Sequence, residues 1–451
     1  MVRLRRPPEW GVDPVPEPLR ILRTFDLFVL WSSLGVGLLV LAAGTFLISA
    51  FGLTLGESIV IALAGSIVGS LMLAAAAHHG SRAGVPTMVS LRPILGRRGS
   101  YVPTAFNVFQ LLGWAAFELL VMGLAAAALM GDVFGSATAA VFIPVFGAVV
   151  AALAVGGPLV VVRKWLERFA IWLVYASTIA IAVALALRAP DLGARLVPMS
   201  FVGATSLLLA LDLVIAMPVS WWPLIADYNR FARTTRASFL GTSIGYTLSN
   251  TVFYVLGATL LAVGLALPLP EPDFVRVIGL LGLSAFPLLI ILVDETDNAF
   301  ANVYSTAVSM QNLAPKRRQI GFIVAATVLA MAAAFVLWGR GEEVGGGYEG
   351  FLFLIGGLFV PLLGVVVADS FVVRRGAYAP DDFADGAPGI RWPAFASWIP
   401  GAALYFVIVL FQIPIGATLP SFALAAGLHV ALSKVEQAFA RPTPSGAGGN
   451  P

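Results

Sequence analysis

The acidic residues of one apolar stretch are the first candidates for chemistry. The segment LVDETDNAFANVYSTAVSMQN carries three acids and two amides within an otherwise apolar helix: Asp294, Glu295, Asp297, Asn298 and Asn302. Three carboxylates cannot all be buried and ionised without cations. Asp297 and the Thr296 hydroxyl offer hard oxygen ligands for a small cation, whereas the two asparagines offer donors and acceptors to a heterocycle. A structural polar network, or a proton relay, is the alternative.

A second pair lies in the stretch GWAAFELL. Trp114 and Glu118 are four residues apart, so both side chains project from one face of a helix. An indole beside a carboxylate can stack on a flat heterocycle and accept hydrogen bonds from its N–H or amino edge. The alternative is a Glu that bonds a neighbouring helix, with the Trp packed beside it.

Two further stretches indicate interrupted helices. Asp212 precedes AMPVSWWPL, which contains Pro218 and Pro223, and an earlier stretch reads WSSLGVG. Proline removes a backbone donor and clashes with the preceding turn, while small residues lower the cost of unwinding. Weak points at corresponding positions of two five-helix halves indicate a binding site at the midplane of inverted-repeat transporters. Gly and Pro are also commoner in ordinary membrane helices, so either signal alone is weak.

The elements that position these residues must be membrane helices. Of 451 residues, 59% are hydrophobic and 11% charged, and the mean hydropathy is +0.92; an average soluble domain has roughly 25% charged residues. Runs of about 20 apolar residues, enough to cross a membrane, recur from Phe25 to about Leu432. A soluble enzyme, a nucleic-acid binder and a secreted module are therefore excluded. The absence of Cys excludes disulfide frameworks and cysteine catalysis.

The apolar runs predict an all-α integral membrane protein with twelve spans. We place them at 26–50, 57–79, 103–130, 137–157, 166–188, 201–225, 237–266, 285–312, 320–338, 350–372, 394–413 and 416–433. With the N-terminus inside, the predicted cytoplasmic segments hold all but four (Arg188, Arg195, Arg276 and Arg340) of the 27 Lys and Arg residues. This asymmetry favours an even number of spans with both termini in the cytoplasm. Residues 267–284 are expected to form an external loop with a short surface helix.

Five stretches carry recognisable motifs: PPEWGV near the start, GVPTMVSLRPILGRRGS followed by GW, ADYNRFAR ending span 6, TDNAFAN in span 8 and FLFLIGGLFVPLLGVVVADSFVVRRG in span 10. Together they resemble the nucleobase:cation symporter-1 family of cytosine, purine, allantoin and hydantoin permeases. The resemblance implies a LeuT-like fold, a five-plus-five inverted repeat with broken helices 1 and 6 and two additional C-terminal helices. Its implied parts are a cytoplasmic N-terminal segment (1–24), repeats over 25–188 and 201–375, extra helices over 393–433 and a disordered cytoplasmic tail (434–451).

The resemblance also implies roles for individual residues. In the family a tryptophan of span 3 stacks on the base, and Trp114 matches it; Glu118 falls at a polar substrate position, and Asn302 matches a substrate-binding asparagine. In span 6 Met217 or Pro218 stands where the family often has an aromatic residue, so either Trp221 swings into the site or one face of the base is not stacked. The candidate substrate contacts are Gly35, Trp114, Glu118, Asp212, Met217, Ser220, Trp221, Asn298 and Asn302.

A sodium site is implied in the same way. Thr296 and Asp297 match the side-chain ligands of the family, and this Thr-Asp pair is more similar to cytosine-permease-type members than to hydantoin-type ones, which carry Ser-Thr. The carbonyls of Trp31, Leu34 and Val293 fall where the family completes the site.

Glu118 and Asp212 make the site more acidic than a neutral base requires, which favours an aminopyrimidine. The pattern DETDNAFANVYSTAVS with an acidic span 3 is similar to hydroxymethylpyrimidine (thiamine-precursor) transporters of the CytX type, with cytosine a close second. We therefore expect a secondary active transporter of the cytoplasmic membrane that imports a pyrimidine-type base by alternating access, coupled to sodium or alternatively to protons.

Beyond the base, the coupling cation and the lipid bilayer, we expect no partner and no cofactor, no contact with nucleic acid, and a monomer. Two rivals remain. An intramembrane hydrolase would need Asp212 and Asp297 to face each other, and a channel or receptor would not accumulate the base against a gradient.

Overall fold

The computed structural model describes residues 11–130, 133–188, 203–265, 286–340, 344–384 and 389–440. Their regular structure is helical, apart from one isolated bridge between Leu22 and Ala232. Numbered to match the predicted spans, the long helices are α1a (Thr24–Leu34), α1b (Leu38–Ser49), α2 (Leu55–Ala83), α3 (Tyr101–Met130), α4 (Thr138–Gly156), α5 (Ile171–Arg188), α6 (Ala204–Ser220), α7 (Thr235–Gly264), α8 (Phe286–Leu313), α9 (Gln319–Arg340), α10 (Val344–Ala368), α11 (Trp392–Leu410) and α12 (Thr418–Ala440).

Ten helices of the described residues are long and apolar enough to cross a membrane, and α1a with α1b makes an eleventh if that bent pair is one span. α8, which carries the three acids, is not among them. Twelve spans therefore remain a prediction. The predicted loop at 267–284 lies outside the described residues, and α8 begins at Phe286.

The first helix bends by 60° between α1a and α1b. The bend falls on the glycine-rich stretch where the sequence predicts a break. The amide of Gly35 still donates to the Trp31 carbonyl, and that of Val36 donates to Ser33, but α1b starts again with Leu41 donating to Gly37. The carbonyls between the two halves have thus lost their usual intrahelical partners.

The sixth segment is interrupted more gently. α6 contains Pro218 and ends at Ser220, a 3₁₀ turn follows over Trp222–Leu224 with Pro223 inside it, and a short helix runs over Ile225–Asn229. The whole stretch Ala204–Asn229 still counts as one candidate span. The two prolines therefore produce a tightened turn rather than a sharp bend.

The helices pack as two groups with a third beside them. α1a, α1b and α6 pack with α2 and α7, whereas α3, α4, α8 and α9 pack with one another, and α10 packs with α11 and α12. Glycines allow close approach within the first group: a Cβ on Gly65 would overlap Val214, and one on Gly69 would overlap Pro218. Such small-residue contacts are how membrane helices pack in the absence of a hydrophobic driving force.

The C-terminal helix α12 runs from Thr418 to Ala440. The expectation of disorder from 434 onward is therefore wrong for 434–440, where a sequence rich in helix formers (KVEQAFA) continues the last turns. Residues 441–451 lie outside the described part.

Asp212 of α6 caps the start of α12. Its Oδ2 accepts from the Ala417 amide at 3.0 Å and its Oδ1 from the Thr418 amide at 2.9 Å. A helix leaves its first N–H groups without partners, and a carboxylate there also favours the positive end of the helix dipole. Asp212 thus joins α6 to α12.

Replacing Asp212 with Ala removes this cap, and we expect a loss of roughly 0.5–2 kcal/mol, the usual cost of deleting an N-cap side chain. Thermal unfolding of the detergent-solubilised protein measures it. Asp212→Asn is the matched control, because Asn keeps an acceptor oxygen and is itself a good N-cap residue. An Ala variant as stable as the wild type would show that the cap contributes nothing.

Candidate functional site

A narrow cavity lies where α1b begins. Its wall comes from the break in the first helix, from α3, from the end of α6 and from α8. The lining residues are Leu34, Val36, Gly37, Leu39, Val40, Leu111, Trp114, Glu118, Met217, Ser220, Trp221, Leu224, Glu295, Asn298 and Asn302.

Glu118 and Asn302 form the polar centre of this wall. The Asn302 amide nitrogen donates to both Glu118 oxygens, at 2.9 and 3.0 Å, and also to the Asn298 carbonyl at 3.1 Å. Both residues are 2% exposed. The amide fixes the orientation of the carboxylate, which keeps further lone pairs for a ligand.

Asn298 holds the break in the first helix against α8. Its amide nitrogen donates to the Val36 carbonyl at 3.1 Å. A Cβ on Gly37 would lie 3.3 Å from both this nitrogen and Glu295 Oε1, so a larger residue at Gly37 would crowd both side chains. The absence of a side chain at Gly37 is what lets the backbone approach α8 so closely.

The side-chain amides and the hydroxyl on the wall already donate to the protein itself. Asn302 bonds Glu118, Asn298 bonds Val36, and the Ser220 hydroxyl donates to the Met217 carbonyl at 2.7 Å. Asn298 Oδ1, in contrast, is buried with no hydrogen-bond partner. The Glu118 carboxylate and the unpartnered Asn298 Oδ1 are acceptors, which suits a ligand that brings N–H donors.

Two indoles lie on the wall. Trp114 is 8% exposed, and its ring lies edge-on to Phe351 of α10, with centroids 5.5 Å apart and planes at 73°. Phe117 meets the same phenyl ring at 5.6 Å, so Phe351 supports the indole. Trp221 contributes the second aromatic side chain at the 3₁₀ turn. This placement suits a flat ligand.

The predicted sodium ligands lie beside the end of α1a. Asp297 is 1% exposed; its Oδ2 accepts from the Ser33 hydroxyl at 3.2 Å, and its Oδ1 from the Trp165 indole at 2.6 Å. The Thr296 hydroxyl donates to the Leu292 carbonyl at 2.6 Å, which leaves its lone pairs available. α1a ends at Leu34, whose carbonyl belongs to the unpaired last turn.

This oxygen set fits a monovalent cation. The described residues contain no group of three or more His, Cys, Asp or Glu placed to hold a metal. One carboxylate with hydroxyl and carbonyl oxygens is a hard, weakly charged set, and it fits sodium.

The cavity collects seven of the nine predicted substrate residues, and Asp212 and Gly35 are the exceptions. Asp212 caps α12, because the backbone amides there bind both of its oxygens. Gly35 faces α7 instead, since an added Cβ would overlap the Ser249 hydroxyl. Neither Asp212 nor Gly35 lines this cavity, so the geometry gives no support to their predicted role as substrate contacts.

Sequence reasoning missed two residues. Glu295 lines the cavity, and the sequence had placed it only in the acidic cluster. Trp165 reaches Asp297 from a π-helix over Val161–Ala170. The basic stretch RKWLER around Trp165 is typical of a cytoplasmic loop, so the sequence held no signal for this contact.

Two known proteins resemble this chain, one of them over most of its length. The "Putative allantoin permease" of Escherichia coli (strain K12) is 24% identical over 410 residues, which cover 83% of this chain and 82% of that protein. The "Allantoin permease" of Bacillus subtilis (strain 168) is 27% identical over 197 residues, or 41% of this chain; the match spans only 39% of that relative.

Solved structures share the fold. Mhp1, a nucleobase-cation-symport-1 family transporter in a closed conformation with bromovinylhydantoin bound, superposes with a TM-score of 0.81 at 18% identity, covering 98% of each chain. A Na⁺-coupled sialic acid symporter in a substrate-bound outward-open state gives 0.70 at 11% identity, covering 98% of this chain and 93% of its own. These matches confirm the LeuT-like class of fold.

A family model described as "Permease for cytosine/purines, uracil, thiamine, allantoin" matches residues 14–428. This stretch includes every residue of the cavity and of the predicted ion site. The chain is therefore a multi-pass integral membrane transporter rather than an enzyme, and it belongs to the nucleobase:cation symporter-1 family.

Proposed function

We propose that this transporter imports an aminopyrimidine, hydroxymethylpyrimidine or cytosine, together with sodium across the cytoplasmic membrane. The observation that carries the substrate class is the acceptor-rich wall around Glu118 and Asn298. An exocyclic amino group, or a protonated ring nitrogen, supplies donors to such a wall. Trp114 and Trp221 supply the aromatic surfaces for a flat ring.

Allantoin is the second candidate, because two relatives carry it in their names. Allantoin brings N–H donors, but it also brings several carbonyl oxygens that need donors. The amide nitrogens of Asn298 and Asn302 already bond the protein. Burying carbonyls without partners costs binding free energy, so the wall favours the aminopyrimidine.

Transport follows from alternating access. Sodium at Thr296 and Asp297 joins the end of α1a to α8, the base fills the cavity, and α1, α2, α6 and α7 then rock against α3, α4, α8 and α9. With both termini in the cytoplasm, as we propose, two contacts close the inner end: the Trp31 indole donates to Asn229 at 2.8 Å, and the fully buried Arg230 donates to the Gly11 carbonyl. Opening inward must break these contacts.

The substrate proposal is tested by thermal stabilisation of the purified full chain. Hydroxymethylpyrimidine, cytosine, uracil, hypoxanthine, allantoin and hydantoin are each added in sodium and in potassium, because a native-state ligand stabilises by about 2.7 kcal/mol at a hundred times its Kd. We expect the largest shift from an aminopyrimidine, and a larger one in sodium. A shift with allantoin alone would overturn the substrate class, and a sodium-independent shift would move the coupling to protons.

The Glu118→Gln variant tests the acceptor role. It keeps the shape of the side chain, but it removes the charge to which the amino group donates. A hydrogen bond to a charged group contributes about 1.5–3 kcal/mol, so we expect a roughly ten- to hundredfold weaker Kd for the aminopyrimidine. Asp212→Asn neutralises a carboxylate outside the cavity and should leave this Kd unchanged. Equal affinities of Glu118→Gln and the wild type would contradict the role.

The Asp297→Asn variant tests the coupling. If sodium and base favour the same state, each strengthens the other by the same factor, typically 1–3 kcal/mol. We expect the variant to lose part of the sodium-dependent stabilisation, and its base affinity in sodium to fall towards the value that the wild type shows in potassium. A titration of base at several sodium concentrations measures both effects. Base affinity that rises with sodium as steeply in the variant as in the wild type would place the coupling ion elsewhere.

A further inference from the structure

Asp294 is a buried carboxylate that no protein group binds. The residue is 1% exposed, and both Oδ1 and Oδ2 are buried without a hydrogen-bond partner. Its neighbours differ: Asn302 donates to Glu118, while Ser33 and Trp165 donate to Asp297. Of Asp294, Asp297 and Glu118, Asp294 is the one whose carboxylate accepts no hydrogen bond.

The charges around Asp294 make its isolation more costly. Glu295, Asp297 and Glu118 are all close enough to repel it. An ionised carboxylate buried among like charges is strongly unfavourable unless a cation compensates it. The start of α1b is near, but a helix N-terminus supplies only about half of a positive charge.

Oxygen atoms converge beside Gly37. Asp294 Oδ2 lies 3.8 Å and Glu295 Oε1 3.3 Å from the position that a Cβ on Gly37 would take. The amide of Asn298 borders the same point, with its nitrogen at 3.3 Å, and Asn298 Oδ1 is buried without a partner. Carboxylate and amide oxygens are the ligands of hard cations.

We propose that Asp294, with Asn298 and Glu295, binds a second sodium ion beside Gly37. This site rests on the proposed sodium-coupled function but is separate from the ion at Thr296 and Asp297. Asp297 is bonded to Ser33 in the last turn of α1a, whereas Asp294 borders Gly37, the residue directly before α1b. The two ions would thus lie at the two ends of the same break.

The test is the number of sodium ions bound by the purified full chain, measured by equilibrium binding of radioactive sodium at saturating aminopyrimidine. We expect two ions for the wild type, one for Asp294→Asn, one for Asp297→Asn, and two for the control Asp212→Asn. A single ion shared by Asp294 and Asp297 would give a wild-type count of one, and would overturn the second site.

The outcomes separate this inference from the proposed function. A wild-type count of one that Asp297→Asn abolishes and Asp294→Asn leaves intact keeps the symport proposal and rejects the second site. If Asp294→Asn loses one ion and Asp297→Asn loses none, the second site is kept and the ion assigned to Asp297 is rejected. No bound sodium at all rejects both.

Two further readouts do not depend on counting ions in a variant. Sodium activation of base binding by the wild type should give a Hill coefficient above one, whereas a single site gives one. Asp294→Asn should also melt at a higher temperature than the wild type in sodium-free choline buffer, because it removes an uncompensated charge. A purely structural carboxylate would instead be destabilised by the substitution.

Discussion

Asn298 donates to the Val36 carbonyl at the point where the first helix cannot satisfy that carbonyl itself. A buried backbone carbonyl without a partner is unfavourable, so an interrupted helix survives inside a bundle only where a neighbour supplies the missing bond. α8 supplies it here, and Gly37 removes the side chain that would keep the two helices apart. The cavity lies at this contact, and both proposed ions lie beside it.

The position of the contact explains how base and cation can influence each other. The cavity wall and the proposed ion ligands share α8, and Asn298 belongs to both groups. Trp31 connects the same region to the end of the sixth segment, since its indole bonds Asn229 while its carbonyl is a predicted sodium ligand. A cation that draws α1a towards α8 would therefore act on the cavity and on the contact with Asn229 through one short segment of backbone.

Much of the site could be predicted because polar residues are rare in membrane helices. Glu118, Asn298 and Asn302 stood out as intramembrane polar groups, and helical spacing placed Trp114 on the face of Glu118. Asp212 stood out by the same criterion, but its partners are amides 205 and 206 residues away, which no local pattern reveals. The contact of Trp165 with Asp297 could not be predicted, because the neighbours of Trp165 are basic and because the residue lies in a π-helix rather than a regular helix.

The fold could be predicted from apolar runs, charge asymmetry and family motifs, but the geometry of the interruptions in the first and sixth helices could not. Glycines in the first helix give a 60° bend, but two prolines in the sixth give only a tightened turn. Proline fixes its own backbone angle, and neighbouring helices decide whether the axis bends.

Sodium-driven uptake into proteoliposomes tests the central claim most directly. The purified full chain is reconstituted, and labelled hydroxymethylpyrimidine and cytosine are each followed with an inward sodium gradient, with equal sodium on both sides, and with a proton gradient alone. We expect transient accumulation of an aminopyrimidine above the external concentration only with the sodium gradient. Accumulation driven by protons alone, or equilibration without accumulation under every gradient, would contradict sodium-coupled import.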